Sequence, residues 1–438
     1  MKWLAVVLAV AGCGDNLPGP AEVHNGSRLK VVWYEYEGGA RERERDWYYD
    51  SVLAERCTSE EWSDGRRYCK PHTDEAVYVT EGCTRSLGRS ARGVAPAPFF
   101  ATTFHVKDRA LPSRVFRRGA ATLAPVAVWE KRVDGCFGPQ PAGDFEYFEL
   151  GEEITDLVRL HRSEPRGYGE LAIIDEVSDD GLSVPAALYD RDVASECLID
   201  ERPNAARLEC VPRDAPQATY FIDAACTNPV VASAAGMVPT IAAAHFTTTG
   251  CWQSYAVGAR LVGGALYADL GSGCVPVAPP VGLSLYVMAD RKASPVLARI
   301  PAGGAERVQP IERAAAELSV ADPWMFDADL ATDCAHDASL RCVPRTAATV
   351  EGFYADPQCS TALQLALVPS GACDPPSRYA REGDLFYPLL APYPYPIYWI
   401  STGGTCGFYG PPVPFVAYTI GPAIDPATFA TAELMIDP

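Results

Sequence analysis

Carboxylates are the most abundant side chains in this sequence that could do chemistry. There are 56 Asp and Glu residues against 37 Lys and Arg, which gives a net charge of −19. Two similar stretches, YDRDVASEC at 189–197 and FDADLATDC at 326–334, place acids at i and i+2. This spacing loosely resembles a calcium loop, but the glycine and the bidentate glutamate of an EF-hand are missing. We interpret both stretches as solvated acidic turns, and we predict no metal and no cofactor.

Other catalytic motifs are missing from the sequence. It contains no HExxH, GxSxG, Walker or dinucleotide-binding glycine pattern. No two of the six histidines are spaced as metal ligands on one element; they are His24, His72, His105, His161, His245 and His336. Paired carboxylates from distant loops could still hydrolyse a polysaccharide, although no particular pair is indicated. The sequence therefore predicts no catalytic residue, and a non-catalytic protein is favoured over an enzyme.

One aromatic stretch is a candidate for binding. YPLLAPYPYPIYW, at residues 387–399, alternates Pro and Tyr, which favours an extended segment with its rings displayed at the edges. Such rings can stack on a sugar or pack on a protein partner. The alternative is an edge strand whose rings pack on the core. The candidate binding residues are Tyr393, Tyr395, Tyr398 and Trp399.

Nucleic acid is a poor candidate for a partner. Binding to phosphate backbones needs clustered Lys and Arg, whereas this chain is strongly acidic. The single basic cluster, RVFRRG at 114–119, is interpreted as a solvated strand end.

An aromatic residue, an aspartate and a cysteine recur in the same order three times. Asp50, Asp190 and Asp327 each stand seven positions before a cysteine. A second cysteine with a proline two positions later follows, then an aromatic five positions before a third cysteine, then a closing cysteine. Equivalent cysteines are 132 to 143 residues apart. This self-similarity predicts three internal repeats of about 135 residues, at 27–160, 161–295 and 296–438.

The periodicity within each repeat is that of strands. Short runs rich in β-branched and aromatic residues alternate with turn residues, and Gly and Pro together number 74. The sequence predicts an all-β protein, with a β-propeller-like ring of two or three blades per repeat favoured. The ring would close if FATAELMI (429–436) paired beside RLKVVWYE (28–35). The alternative fold is three tandem β-sandwich domains.

The cysteines are typical of an exported protein in an oxidising compartment. The first two of each repeat are close in sequence, and the first repeat leaves only one further pair; repeat symmetry extends both pairings. The predicted disulfides are Cys57–Cys69, Cys83–Cys136, Cys197–Cys210, Cys226–Cys274, Cys334–Cys342 and Cys359–Cys406. Cys251 and Cys373 have no counterpart in the first repeat, and they either pair together or remain thiols.

The N-terminus predicts export. MKWLAVVLAVAGC has one early lysine and an apolar run that is too short to span a bilayer. The segment VAGC, which ends at Cys13, resembles the bacterial lipobox, in which the cysteine becomes the first mature residue and carries lipid. The resemblance implies a signal peptide at 1–12 and a lipidated tether at 13–26, with the membrane as a partner. An ordinary secretory peptide is the alternative.

These features together resemble the uncharacterised predicted lipoproteins of myxobacterial type. That resemblance implies a location in the cell envelope, at the outer membrane or the cell surface, but it implies no reaction. The leading interpretation is a lipid-anchored, non-catalytic β-repeat scaffold that binds a glycan or an envelope protein. The alternative is a secreted polysaccharide hydrolase that uses carboxylates in its loops.

Overall fold

The computed structural model describes residues 23–437, with gaps at 107–108, 168, 200–203, 235–236, 247–250, 270–273, 316–317, 370–376, 402 and 410–414. The predicted signal peptide, Cys13 and most of the tether lie outside the described residues. The predicted all-β class is confirmed, because the described part of the chain consists of strands, turns and one 3-10 turn at Pro426–Thr428. No helix among the described residues is long and apolar enough to cross a membrane.

The strands form one sheet of fifteen strands and three sheets of seven. In chain order they are β1 (Leu29–Tyr36), β2 (Arg41–Asp50), β3 (Glu55–Glu61), β4 (Arg67–Pro71), β5 (Thr73–Tyr78), β6 (Ser86–Ala91), β7 (Phe99–Val106), β8 (Arg109–Thr122), β9 (Ala127–Arg132), β10 (Gly135–Pro141), β11 (Phe145–Ile154), β12 (Arg159–Arg162), β13 (Leu171–Ser178), β14 (Ser183–Asp190), β15 (Ser195–Ile199), β16 (Arg207–Pro212), β17 (Ala218–Phe221), β18 (Pro229–Ala234), β19 (Ile241–Phe246), β20 (Cys251–Leu261), β21 (Leu266–Asp269), β22 (Cys274–Val277), β23 (Leu283–Lys292), β24 (Val296–Pro301), β25 (Val308–Ala315), β26 (Leu318–Asp327), β27 (Thr332–His336), β28 (Cys342–Pro344), β29 (Thr349–Tyr354), β30 (Ala362–Pro369), β31 (Tyr379–Glu382), β32 (Leu385–Pro392), β33 (Ile397–Ile400), β34 (Cys406–Tyr409), β35 (Phe415–Ile420) and β36 (Ala432–Ile436).

The fifteen-stranded sheet, here called the ring sheet, contains β1–β4, β12–β16, β24–β28 and β36. Its strand β36 pairs antiparallel with β1, with Val32 opposite Ile436. Beside its other edge strand, β28, Arg341 forms a β-bridge with Thr431 in the segment that leads into β36. The sheet therefore returns to its own start, and the predicted pairing of 429–436 with 28–35 is confirmed.

The ring sheet differs from both predicted architectures. The strands β1–β4, β12–β16 and β24–β28 are here called its three thirds. Neighbouring thirds pair directly edge to edge, through β4 with β12 and β16 with β24, so the sheet has neither separate propeller blades nor separate sandwiches. Pairing the edge strands of neighbouring thirds satisfies backbone groups that would otherwise be open to association with other chains.

Three apolar clusters hold the ring sheet, and each combines side chains from two neighbouring thirds with one disulfide. The disulfides are Cys57–Cys69, Cys197–Cys210 and Cys334–Cys342, with Cα–Cα distances of 5.2, 4.9 and 5.2 Å. Each closes a short hairpin loop, which stabilises the fold by roughly 2–3 kcal/mol through the unfolded state.

The recurring aspartates cap the turns that precede these hairpins. Asp50 and Asp327 are fully buried, and Asp190 is nearly so. Each accepts hydrogen bonds from the backbone N–H groups two and three residues later. The interpretation of 189–197 and 326–334 as solvated turns is therefore wrong for these aspartates, although Asp192 and Asp329 are exposed.

The recurring aromatic before each aspartate is not the most buried residue of its strand. Side chains alternate along a strand, and the fully buried position lies one residue earlier. The half-buried residues are Tyr49, Tyr189 and Phe326. The buried residues are Tyr48, Leu188 and Met325.

The seven-stranded sheets share one order of pairing. In the first, β5, β6, β11, β8 and β7 are adjacent in turn, and β7 pairs back with β5 in parallel, which closes a five-stranded barrel. In the third, β29, β30, β35, β32 and β31 close in the same way. In the second, β17, β18, β23, β20 and β19 follow the same order, and a parallel bridge joins Gln217 to Ala243. We call these the first, second and third barrels.

The two remaining strands of each small sheet form a hairpin: β9–β10, β21–β22 and β33–β34. A disulfide ties each hairpin to the turn after the first barrel strand, and these disulfides are Cys83–Cys136, Cys226–Cys274 and Cys359–Cys406. The six disulfides in the described part of the chain match the pairs that the sequence predicts. Cys373 and the side chain of Cys251 lie outside the described residues.

Candidate binding site at the mouth of the third barrel

The side chains of β29 alternate between the inside and the outside of the third barrel. Val350 packs inside with Ala366 and Ala380. Phe353 packs on the outer wall with Leu365, under the β33–β34 hairpin. Because successive residues of a strand face opposite sides, Gly352 and Tyr354 continue the inner row towards one end of the barrel. We call this end the third-barrel mouth.

A cavity of about 430 Å³ borders the third-barrel mouth, at this end of the β29–β30 pair. Its lining comes from the neighbouring antiparallel strands β29 and β30, in which Tyr354 pairs with Ala362 and Gly352 with Gln364. The lining side chains are uncharged: Gly352, Phe353, Tyr354, Ala362, Leu363 and Gln364. Cavities of this kind at barrel mouths are common sites for small ligands.

Gly352 has no structural need to be glycine. It lies in the middle of β29, it is absent from the positive-φ positions, and a Cβ atom built on it meets nothing within 4 Å. Glycine weakens a strand, and in a strand it often marks a place where another molecule or backbone approaches closely. Since no atom of this protein approaches there, the open space above Gly352 is available to a ligand.

An aromatic row runs from the cavity across the hairpin that covers the barrel. Tyr354 pairs with Tyr398 across β29 and β33, and Tyr398 pairs with Phe408 across β33 and β34. Directly opposed residues of antiparallel strands project from the same face. The rings of Tyr398 and Phe408 lie edge to face, with centroids 6.0 Å apart. Phe408 is 67% exposed, so the row offers ring surface to solvent beside the cavity.

The structure separates the four aromatic residues that the sequence proposes for binding. Only Tyr398 lies in the aromatic row. Trp399 projects from the other face of the hairpin, 6.4 Å from Tyr409, and is half exposed. Tyr393 packs on the outer-wall cluster, and Tyr395 is exposed edge-on to it at 5.4 Å.

Sequence reasoning missed three contributors to the site: Gly352, Tyr354 and Phe408. Tyr354 carried a usable signal, because it is the aromatic that recurs five positions before the third cysteine of each repeat. Gly352 and Phe408 carried no such signal. The role of Gly352 depends on the open space above β29, and that of Phe408 depends on the register of β34 against β33.

An aspartate holds the turn at the rim of this mouth. The carboxylate of Asp356 accepts hydrogen bonds from the backbone N–H groups of Gln358, Ser360 and Thr361, and from the Ser360 hydroxyl. The bond from the Ser360 N–H is the main cause that lowers the pKa of Asp356 to about 2. Thr80 occupies the corresponding turn of the first barrel, where its hydroxyl accepts from the N–H groups of Thr84 and Arg85.

Acid is therefore expected to loosen the rim of the third barrel before that of the first. A carboxylate whose folded pKa is depressed stabilises the fold above its ordinary pKa of 3.8, and the contribution disappears as the pH falls through about 2. Amide-exchange protection at Ser360 and Thr361 should decrease between these pH values. Thr84 and Arg85 are the internal control, because a threonine hydroxyl does not titrate there. Equal loss of protection in the two turns would contradict this role of Asp356.

Glu42, Glu44 and His336 form a cluster within the ring sheet. The Nδ1 atom of His336 is 3.2 Å from Glu42, and the Tyr36 hydroxyl donates to Glu42 at 2.5 Å. The ring of Tyr34 lies tilted against that of His336, and its hydroxyl donates to Glu44; burial, together with Glu44, raises the pKa of Tyr34 to about 12. The phenols thus stay protonated and bridge β1 and β2 to β27, where the ring sheet closes.

Carboxylates line neither the cavity at the third-barrel mouth nor a second cavity at the corresponding end of the first barrel. No group of three or more His, Cys, Asp or Glu side chains in the described part of the chain is arranged to hold a metal ion. In this part of the molecule, the third-barrel mouth can therefore offer ring faces, one amide and open volume, which are the groups of a binding site.

The chain belongs to a family of unknown function, DUF7481, whose model matches residues 6–429. No curated protein matches the chain, and no solved structure matches it.

Proposed function

We propose that this protein is a non-catalytic carbohydrate-binding protein and that its third-barrel mouth holds an uncharged sugar ring. The observation that carries the proposal is the open cavity above Gly352 beside the row of Tyr354, Tyr398 and Phe408. Aromatic rings offer a large apolar face at a fixed orientation, which suits the C–H face of a sugar.

The polar groups of the mouth suit a neutral ligand. Gln364 supplies an amide that can both donate to and accept from sugar hydroxyls. A charged ligand would lose its hydration without gaining an opposite charge, since the lining side chains are uncharged.

Export and anchoring complete the proposal. Six disulfides in the described chain indicate an oxidising compartment. We infer that residues 1–12 are a signal peptide and that lipid on Cys13 attaches the protein to the cell envelope, with residues up to 26 as a tether. Each buried methylene of an acyl chain contributes about 0.8 kcal/mol, so that two or more chains give stable attachment.

We also infer that one unit was triplicated, with copies at 27–160, 161–295 and 296–438. The shared pairing order of the three barrels and the three equivalent pairs of disulfides support this inference. In this view the ring sheet is a platform that presents three barrels, whose mouths have diverged.

Binding of a panel of neutral oligosaccharides, measured by calorimetry, tests the function. For the glycan that binds, Tyr398→Ala should weaken affinity about tenfold, because losing a stacked aromatic costs about 1.4 kcal/mol. Trp399→Ala is the matched control, since Trp399 lies on the opposite face of the same hairpin and should leave affinity unchanged. Equal losses in both variants, or no neutral glycan bound, would overturn the proposal.

A further inference from the structure

The first barrel has a cavity at the corresponding end, which we call the first-barrel mouth. Its volume is about 400 Å³. Tyr78 stands opposite Ser86 there, as Tyr354 stands opposite Ala362 in the third barrel. The two mouths thus share a position in the fold, but their side chains differ in chemistry. The first is lined mainly by hydroxyls and cations, among them Ser63, Thr84, Ser86, Ser113, Arg114 and Lys131.

A pair of hydroxyls forms the inner part of the first-barrel mouth. Thr102 is 2% exposed, and its hydroxyl lies 3.0 Å from that of Ser113. Burial raises the pKa of Tyr78, although its hydrogen bond with Thr102 and the charge of Arg114 oppose this rise. Tyr78 therefore remains a neutral phenol that can donate. Three hydroxyls on three strands converge on one space, which suits a ligand that itself carries several hydroxyls.

The first-barrel mouth carries one net positive charge. Arg114 is held by Glu153, with 2.7 Å between Nε and Oε1 and a second bond from its other nitrogen, so that its charge is compensated. Lys131 projects from β9 into solvent at the mouth, and it has no ion pair among the described residues. The remaining cation matches a single carboxylate.

We propose that the first-barrel mouth binds a monoanionic sugar of the uronic acid class. The sugar carboxylate pairs with Lys131, and the ring hydroxyls bond to Tyr78, Thr102 and Ser113. A polyanion is disfavoured, because the protein as a whole carries a net charge of −19. This site is separate from the third-barrel mouth, so the protein has two subsites with different preferences, one for a neutral and one for an acidic sugar.

The test compares glucuronate, glucose and acetate by ligand-observed NMR and calorimetry on the full chain. Glucuronate should bind, and acetate, which has the carboxylate without the hydroxyls, should bind at least tenfold more weakly, because each hydrogen bond to a charged or buried group contributes about 1–3 kcal/mol. At the first-barrel mouth, glucose should also bind more weakly than glucuronate, since it lacks the charge; the Tyr398→Ala variant, with its third-barrel mouth impaired, is used for this comparison. Equal binding of acetate and glucuronate would show a charge effect only and would overturn the proposal.

Variants locate the site. Lys131→Gln should weaken glucuronate binding about tenfold, the loss expected for a charge-assisted hydrogen bond. Arg92→Gln is the charge-matched control, because Arg92 follows the far end of β6 in an exposed pair with Asp144. Tyr398→Ala should leave glucuronate binding intact, which distinguishes this site from the neutral one. Unchanged glucuronate affinity in Lys131→Gln would refute the assignment, whatever becomes of the third-barrel mouth.

Discussion

Replacing Asp322 with alanine is expected to lower the free energy of unfolding by about 3–5 kcal/mol, the cost of removing one partner from a buried ion pair. Asp322 is fully buried in the ring sheet and accepts from Arg299 at 2.7 Å and from Arg313 at 2.9 Å. Burial opposes its ionisation, but the charges of Arg313 and Arg299 outweigh burial and hold the pKa of Asp322 below its ordinary value. The alanine variant leaves two buried guanidinium groups with one acid fewer between them.

Urea unfolding followed by circular dichroism measures this loss. Asp144→Ala is the matched control, because Asp144 pairs with Arg92 at 3.0 Å on the surface, with both side chains more than half exposed. Such a pair contributes at most about 1 kcal/mol. If both variants lower the free energy of unfolding by a similar small amount, the ion pairs of Asp322 with Arg299 and Arg313 do not hold β24, β25 and β26 together.

The covalent framework was predictable from the sequence because it depends on the spacing and the recurrence of the cysteines. Cys57 and Cys69 are close enough in sequence to staple one hairpin, and the recurrence of that spacing indicates the other two. The closing strand was predictable for a similar reason: residues 429–436 occupy the place in the sequence pattern that precedes each predicted repeat, and they pair with β1.

Tertiary pairing outweighs local helix propensity at one stretch of the ring sheet. IERAAAEL, residues 311–318, is the best helical stretch of the sequence, yet Ile311 and Arg313 lie in the strand β25. There Ile311 is buried and Arg313 reaches Asp322, and both contacts need the side-chain alternation of a strand. Burial and the ion pair outweigh helix propensity, which amounts to only a few tenths of a kcal/mol per residue.

The architecture and the site could be predicted only in part, because both depend on which strands meet. The sequence located strands but not the edge pairing of β4 with β12, which joins neighbouring thirds of the ring sheet. It indicated an aromatic segment at 387–399, but the register of β33 decides that Tyr398 joins the aromatic row while Trp399 faces away. A period of two residues makes every such assignment depend on register.

Gly352→Trp is expected to abolish neutral glycan binding without unfolding the protein. Tryptophan is accommodated well in strands, and the position tolerates a side chain because a Cβ atom there meets open space. The indole would instead occupy the 430 Å³ cavity beside Tyr354. Gly352→Ala is the control, because a methyl group leaves most of the cavity open.

The location of the sugar site is tested by calorimetry. The neutral glycan that the panel identifies is titrated into wild type, Gly352→Ala and Gly352→Trp, after all three proteins are shown to have the same unfolding midpoint. We expect wild-type affinity for the alanine variant and a loss of at least tenfold, about 1.4 kcal/mol, for the tryptophan variant. Wild-type affinity in a folded Gly352→Trp protein would contradict this expectation, because the third-barrel mouth would then not be where the sugar binds.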